Sequence, residues 1–277
     1  MSTPSKPPET AHTGNGDITS LQADAIADYI AKVKSYPPGA IALPCADLAR
    51  YHAFTMAIIS LEYPPGTRVH MVNSLSIAAN LNIVCREMLA EPNLEWLVFQ
   101  ADDHVFTPDS LLRMLHRLYE NELDVLVPIM CRRHPPFSPL IFKGEDPAQG
   151  GFLSYAWDEI PREGLLGPMY AAGTGGMVIR RSALERVAEA GLAPGGLFFE
   201  NSAGEIINED TEFCAKLRAV GVDIYADCSV TMGHCGMFIA WPSVTPEGKW
   251  GIHFQMGEGP EGALKGIFLE AGEKPPG

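Results

Sequence analysis

Two carboxylates and an imidazole arrive together at the end of an apolar run, Trp96-Leu97-Val98-Phe99-Gln100-Ala101-Asp102-Asp103-His104. Adjacent aspartates repel one another, so a site that keeps both asks for a cation beside them. Hard oxygen donors at an open mouth suit Mg²⁺ or Mn²⁺, and such an ion bridges a diphosphate. His104 reads as support for the pair, or as a turn residue, rather than as a direct ligand. His234, in Thr231-Met232-Gly233-His234-Cys235-Gly236, is flanked by glycines that permit close backbone approach, and its imidazole suits Mn²⁺ better than Mg²⁺. No second Cys/His pair with zinc spacing accompanies it. Glu209 and Asp210 fall in the first turn of a helix capped by Asn208, where the helix dipole favours carboxylates. Gly173-Thr174-Gly175-Gly176 has the look of a phosphate loop, but no lysine follows, and a tight turn into a strand is the plainer reading. Arg132-Arg133-His134 concentrates positive charge, ready for a diphosphate or an anionic acceptor, or standing as a solvated loop before Pro135-Pro136.

The elements that must position these groups alternate along the chain. Short apolar strands are expected at 40–43, 68–72, 94–100 and 123–129, and helices at 48–61, 76–89 and 109–120. A peripheral helix is expected over 22–34. Strand–helix alternation of this kind builds a mostly parallel sheet with crossover helices. Acidic side chains at the carboxyl end of a strand in such a sheet sit where ligands bind. No G-x-G-x-x-G follows the first strand and no Walker lysine is present, so a metal held by acidic residues has to handle phosphate. Residues 131–168, rich in Pro, Gly and aromatics, read as a long excursion or a small hairpin. Beyond them come a strand at 177–180, a helix over 183–190 with Ser182 and Glu185 as a capping box and Gly191 as its stop, a helix from Asn208 to Leu217, and a strand at 222–226.

The chain has 277 residues, 46% of them hydrophobic, which is enough for one sizeable core. Its formal charge of −14 disfavours a non-specific grip on duplex nucleic acid or an anionic membrane. No apolar run is long enough to span a bilayer and no signal-peptide core is seen, so a cytoplasmic protein without stable membrane insertion is expected. Six scattered cysteines lack any C-x-x-C pair and read as buried free thiols. Residues 1–20 are expected to be a disordered leader, 21–240 the folded domain, and 241–277 a loop-rich tail.

Three stretches, in this order and spacing, resemble GT-A glycosyltransferases of the family-2-like kind. They are the strand ending in acidic residues with Pro108-Asp109 after it, the Gly-x-Gly-Gly turn before Val178-Ile179-Arg180-Arg181, and Asn208-Glu209-Asp210-Thr211-Glu212 leading to a distal His234. The resemblance covers roughly 40–236. It implies an α/β GT-A fold, Rossmann-like with helices flanking a central sheet, and transfer of a sugar from a nucleoside-diphosphate donor to a hydroxyl acceptor with Mn²⁺ or Mg²⁺. By position it makes Asp103 the metal-binding carboxylate and His234 the histidine that completes the metal shell. Ala101 stands where the family's first aspartate is usual, which shifts the nucleoside contact to Asp102. Asp210, with Glu209 beside it, takes the place of the acid that activates or positions the acceptor. Gly175 and Gly176 line the sugar pocket, and Pro44, Asn73 and Asn82 fall where the family contacts the nucleoside; apart from the resemblance, the basic patch makes Arg133 a candidate for the diphosphate or an anionic acceptor. For Asn82 a helix-to-loop hydrogen bond is an equal account, since Leu81 replaces the usual arginine. Pro44 is equally an ordinary strand stop. The alternatives are a non-catalytic nucleotide-sugar or carbohydrate-binding protein on a degenerate transferase scaffold and, ranked behind it, a nucleotidyltransferase. The latter usually has a basic glycine-rich loop where this chain has Pro44-Cys45-Ala46-Asp47.

Overall fold

The computed structural model describes residues 25, 27–32, 34–45, 52–73, 76–146, 151–200, 208–236, 238–255 and 268–270. The expected leader over 1–20 lies outside them. The chain divides into Met1–Tyr36 and Pro37–Gly277. In the first unit residues 27–32 are helical, within the helix expected over 22–34.

The second unit opens with β1 (Ala40–Pro44), α1 (His52–Ser60), β2 (Arg68–Val72), α2 (Ile77–Ala90), β3 (Trp96–Phe99), β4 (His104–Val105), α3 (Ser110–Glu120) and β5 (Val125–Ile129). It continues through β6 (Ile141–Asp146), β7 (Gly151–Ser154), β8 (Leu165–Leu166), β9 (Ala171–Ala172), β10 (Val178–Arg180), α4 (Arg181–Glu189) and α5 (Glu209–Ala219). It closes with β11 (Ile224–Thr231), β12 (Gly233–Cys235), β13 (Ile239–Val244), β14 (Trp250–Gln255) and β15 (Phe268–Glu270).

Every residue of β1, β3 and β5 is buried, which is why each reads as an unbroken apolar run rather than an alternation. They belong to a seven-stranded sheet of order β2-β1-β3-β10-β5-β11-β8. β1 runs parallel to β2 and β3, and β5 parallel to β11, whereas β10 is antiparallel to both β3 and β5 and β8 antiparallel to β11. Five of the seven strands thus run the same way, a mostly parallel sheet with the antiparallel β10 inside it and β8 at its edge. On α3 the buried Leu111, Leu112, Met114, Leu115 and Leu118 form the stripe that faces the sheet.

Two smaller sheets frame the carboxyl ends of these strands. The excursion at 131–168 contains the β6–β7 hairpin, extended by β9 to the order β7-β6-β9. The stretch from 241, expected to be loops, instead continues an antiparallel sheet of order β15-β14-β13-β12-β4. Its Pro and Gly content concealed this. Pro242 is tolerated within β13 because β12 pairs with β13 only at Ile239 and Ala240, so no ladder bond on that side needs its missing N–H. Residues 256–267 and 271–277 of the tail lie outside the described residues. The last main-sheet strand is also longer than the expected 222–226, with a register irregularity between Asp227 and Thr231. Among the described residues no helix is long and apolar enough to cross a membrane.

The capping box expected of Ser182 and Glu185 does not form. The helix starts at Arg181, Ser182 Oγ donates to Asp124 Oδ1 at 3.1 Å, and Glu185 lies 3.4 Å from Arg181. Arg181 itself bonds to the far end of α2, a helix whose last turn carries no basic residue. Its guanidinium donates to the carbonyls of Met88 (2.7 Å), Leu89 (3.3 Å), Leu94 (2.7 Å) and Glu91. These include carbonyls that a helix terminus leaves without partners. One largely buried cation thus ties α4 to the end of α2 and to the connection that leads into β3. Replacing Arg181 by methionine, which keeps length but not donors, is expected to destabilise the fold by roughly 2–4 kcal/mol in denaturant melts. A loss within experimental error would contradict this role.

Candidate functional site

The chemistry-bearing residues of the opening motif are placed by a strand register. β3 ends at Phe99, Gln100 N donates to Ala42 O at 2.9 Å, and a turn closed by His104 N to Ala101 O at 3.1 Å carries Asp102 and Asp103. The next two residues form β4, which pairs antiparallel with β12 so that His104 lies directly opposite His234. Facing residues in such a pair bring their side chains together. The two imidazoles are stacked, with ring centres 4.6 Å apart and planes inclined by 23°. Cys235 N donates to Asp103 O at 2.7 Å and locks the turn to β12.

The Asp103 carboxylate bridges the edges of the two stacked rings. Its Oδ1 is 3.0 Å from His104 Nδ1, and its Oδ2 is 3.2 Å from His234 Nε2. The three residues offer donor atoms within 4.8 Å of one another. His234 Nδ1 is 2.9 Å from the carbonyl of Cys131. A carbonyl only accepts, so Nδ1 carries a proton. His234 Nε2 then has two options opposite a carboxylate: a second proton, or a lone pair given to a cation shared with Asp103. Burial alone would push the Asp103 carboxyl up, but His104 and His234 beside it hold it well below the usual range. Arg133 adds a permanent positive charge, its Nη1 lying 3.1 Å from Asp103 Oδ2. Donor atoms in neighbouring positions around an ion at ~2.1 Å sit about 3 Å apart, so the observed separations fit a small divalent metal. A carbonyl behind a ligating histidine is the usual way such a ring is oriented.

The glycine turn lies between this cluster and Asp210. Met177 N bonds back to Thr174 O at 2.9 Å, and Gly176, at φ +72°, donates to Phe99 O at 2.6 Å. A Cβ on Gly175 would sit 2.7 Å from His104 Cε1, so only glycine leaves room for that ring. One residue earlier, Thr174 Oγ1 donates to Asp210 Oδ1 at 2.6 Å. This turn acts as a spacer that touches His104 on one side and holds Asp210 on the other. Asn208 caps α5 as expected, its Oδ1 accepting from Thr211 N at 3.1 Å. Burial, with a smaller contribution from the neighbouring Glu209 charge, pushes the Asp210 carboxyl up to about 6 against the pull of the Thr174 bonds. An open cleft of about 310 Å³ joins the parts, lined by Arg132, Arg133, His134, Gly173, Asp210 and His234 among others. Cavities beside Trp157 and beside Met56 contain none of the expected site residues.

The remaining expected residues are distributed unevenly. Asp102 is partly buried in the same turn as Asp103 but outside the three-residue cluster. Pro44 and Asn73 stand at the carboxyl ends of the parallel β1 and β2, Pro44 buried and Asn73 exposed. Asn82 is buried and takes the helix-to-loop role: its Nδ2 donates to Phe199 O at 2.7 Å and its Oδ1 accepts from Phe199 N at 2.8 Å. Both ends of its amide are thereby engaged by the Phe199 backbone. Two contributors were not legible as site residues, namely Thr174 and the Cys131 carbonyl. Only Thr174 carried a signal, its place inside the glycine turn. All six cysteines are free and buried as expected, and burial pushes the Cys131 and Cys235 thiols beside the cluster up to about 12.

No protein-family model matches this chain, and no curated protein does. Among solved structures it is similar to the crystal structure of A197 from STIV, with a TM-score of 0.51, 14% identity, and coverage of 80% of this chain and 95% of that one. At that identity the likeness concerns the fold alone.

Asp210 yields a prediction independent of activity. Its folded-state value is raised from 3.8 to about 6, so the folded protein holds this proton more tightly than the unfolded chain does. Below the unfolded value both states are protonated and no penalty exists. Stability then falls as pH rises through that window, and the full penalty is present above it. Asp210→Asn keeps the acceptor for Thr174 but cannot ionise. It is expected to be more stable than the parent by roughly 1–3 kcal/mol at pH 7.5 and equal to it at pH 3.5, in denaturant melts at both values. An asparagine variant less stable at pH 7.5 would contradict the burial assigned to this carboxylate.

Proposed function

We propose that this chain is a metal-dependent glycosyltransferase of GT-A type, moving a sugar from a nucleoside-diphosphate donor to a hydroxyl acceptor. The observation that carries this reading is a cleft lined both by His234, a member of the cation-demanding Asp103/His104/His234 cluster, and by a carboxylate, Asp210, poised near neutrality. The order of the central sheet supports it: β1, β2 and β3 are parallel and end on the same side, and the acidic turn follows β3 directly.

Bound at Asp103 and His234, a divalent ion would supply Lewis-acid stabilisation of the departing diphosphate. The chain's own groups do the rest. Arg133, half-exposed and resting on Asp103, is the cation nearest the cluster that can turn toward a phosphate oxygen. Arg132 and His134 extend that positive rim, which contrasts with a chain charge of −14 and favours an anionic ligand there. Asp210 accepts the acceptor's proton or orients its hydroxyl, with Thr174 fixing the carboxylate so that one oxygen stays directed. Glu209 acts through its charge, which helps keep Asp210 basic. Pro44, Asn73 and Asp102 mark the side on which a nucleoside would lie.

The test is a thermal-shift screen of nucleoside-diphosphate sugars on the full chain with and without Mn²⁺, followed by transfer assays with the donor that binds. A bound donor is expected to raise the melting temperature only with metal present. Asp210→Asn is expected to keep donor binding and to lose transfer by roughly 10²–10⁴-fold. A general base works only when deprotonated, so turnover by the parent should rise with pH through about 6, the value to which Asp210 is raised. Donor binding without transfer or donor hydrolysis across a broad acceptor panel would favour a non-catalytic binding protein. Wild-type turnover by Asp210→Asn would overturn the role given to this residue.

A further inference from the structure

We propose that His104 is a third protein ligand, giving an Asp103–His104–His234 site that selects borderline transition cations such as Mn²⁺ and Co²⁺ over Mg²⁺. This rests on the metal-binding part of the reading above and not on sugar transfer. His104 is only 6% exposed; its Nδ1 faces Asp103 Oδ1 at 3.0 Å, and its Nε2 has no hydrogen-bond partner among the described residues. A cation shared with Asp103 would engage Nδ1, the nitrogen of this buried ring that faces another donor atom. The ring is held from three directions. The β4–β12 register sets it against His234, the backbone of Gly175 closes one side, and Asp103 Oδ1 lies 3.0 Å from Nδ1. It has no evident room to rotate away from the cluster.

The donor set then decides the ion. Mg²⁺ demands oxygen ligands and retains its waters, whereas two imidazole nitrogens with one carboxylate suit the first-row transition series, with affinity rising from Mn²⁺ to Co²⁺. One carboxylate against a dication also leaves about one net positive charge on the bound ion, an attraction for an anionic ligand in the cleft.

Calorimetric titration of the chelator-stripped full chain with MnCl₂, CoCl₂ and MgCl₂, without any nucleotide, tests this. Co²⁺ and Mn²⁺ are expected to bind at least about tenfold more tightly than Mg²⁺. His104→Asn, which replaces the ring with an amide, is expected to weaken Mn²⁺ and Co²⁺ by about tenfold or more while Mg²⁺ changes by less than about threefold. Its unfolding midpoint in chelator serves as the folding control. Should that variant fail to fold, nuclear magnetic resonance of the parent replaces it. Mn²⁺ must then broaden the imidazole signals of both His104 and His234 before those of His52 and His253. Mg²⁺ bound as tightly as Mn²⁺, undiminished Mn²⁺ affinity in a folded His104→Asn protein, or broadening that spares His104 would each overturn the proposal. The expected metal order without any donor effect would sustain it and remove the transferase reading.

Discussion

The site turns on one confrontation, the Asp103 carboxylate against His234 Nε2 at 3.2 Å, with the other nitrogen of that ring already given to the Cys131 carbonyl. Two electron-rich atoms at that distance need a positive charge between or on them. In the described structure the Arg133 guanidinium, 3.1 Å from Asp103 Oδ2, contributes such a charge, and a dication would provide it more fully. The surrounding architecture brings this about. The chain leaves the main sheet at the end of β11, crosses Met232, and re-enters as β12 in a different sheet, directly opposite the turn that follows β3. The segment after β5 supplies both the Cys131 carbonyl and the Arg133 guanidinium.

The glycine turn links the two halves of the proposed chemistry. Contact of Gly175 with His104 and of Thr174 with Asp210 fixes the carboxylate relative to the metal-binding cluster without any charged residue in between. The two acids are driven in opposite directions. Contacts from His104 and His234 hold the Asp103 carboxyl low, while burial beside Glu209 lifts Asp210 toward neutrality. A permanently charged metal ligand and an acid–base group near neutrality are different tasks, and separate environments on one cleft supply both.

Much of this was legible in the sequence, and the reasons for the rest are physical. Buried strands such as Trp96–Phe99 announce themselves as apolar runs, and Asn208 declares the start of α5, because those signals are local. The acidic motif, Asp210 and His234 were readable as residue types at a recognisable spacing. Pairings between distant segments were not. Nothing in the sequence near His104 indicates that β12 will lie opposite it, so its place in the cluster emerges only from register. A backbone carbonyl such as that of Cys131 has no sequence signature at all. The tail from 241 read as loops because Pro242 and its glycines obscured strands whose pairing tolerates them. Asn82 had two accounts on one helix, and only the position of Phe199 across the fold decides between them.

The central claim is that Asp103, His104 and His234 hold one divalent ion. Anomalous diffraction from crystals of the full chain grown with MnCl₂, collected at the manganese edge, addresses it directly. The account predicts one strong peak within bonding distance of the Asp103 carboxylate and of an imidazole nitrogen on each histidine, with Arg133 displaced from Asp103. A peak elsewhere on the acidic surface, or none with the Asp103–Arg133 pair intact, would contradict it.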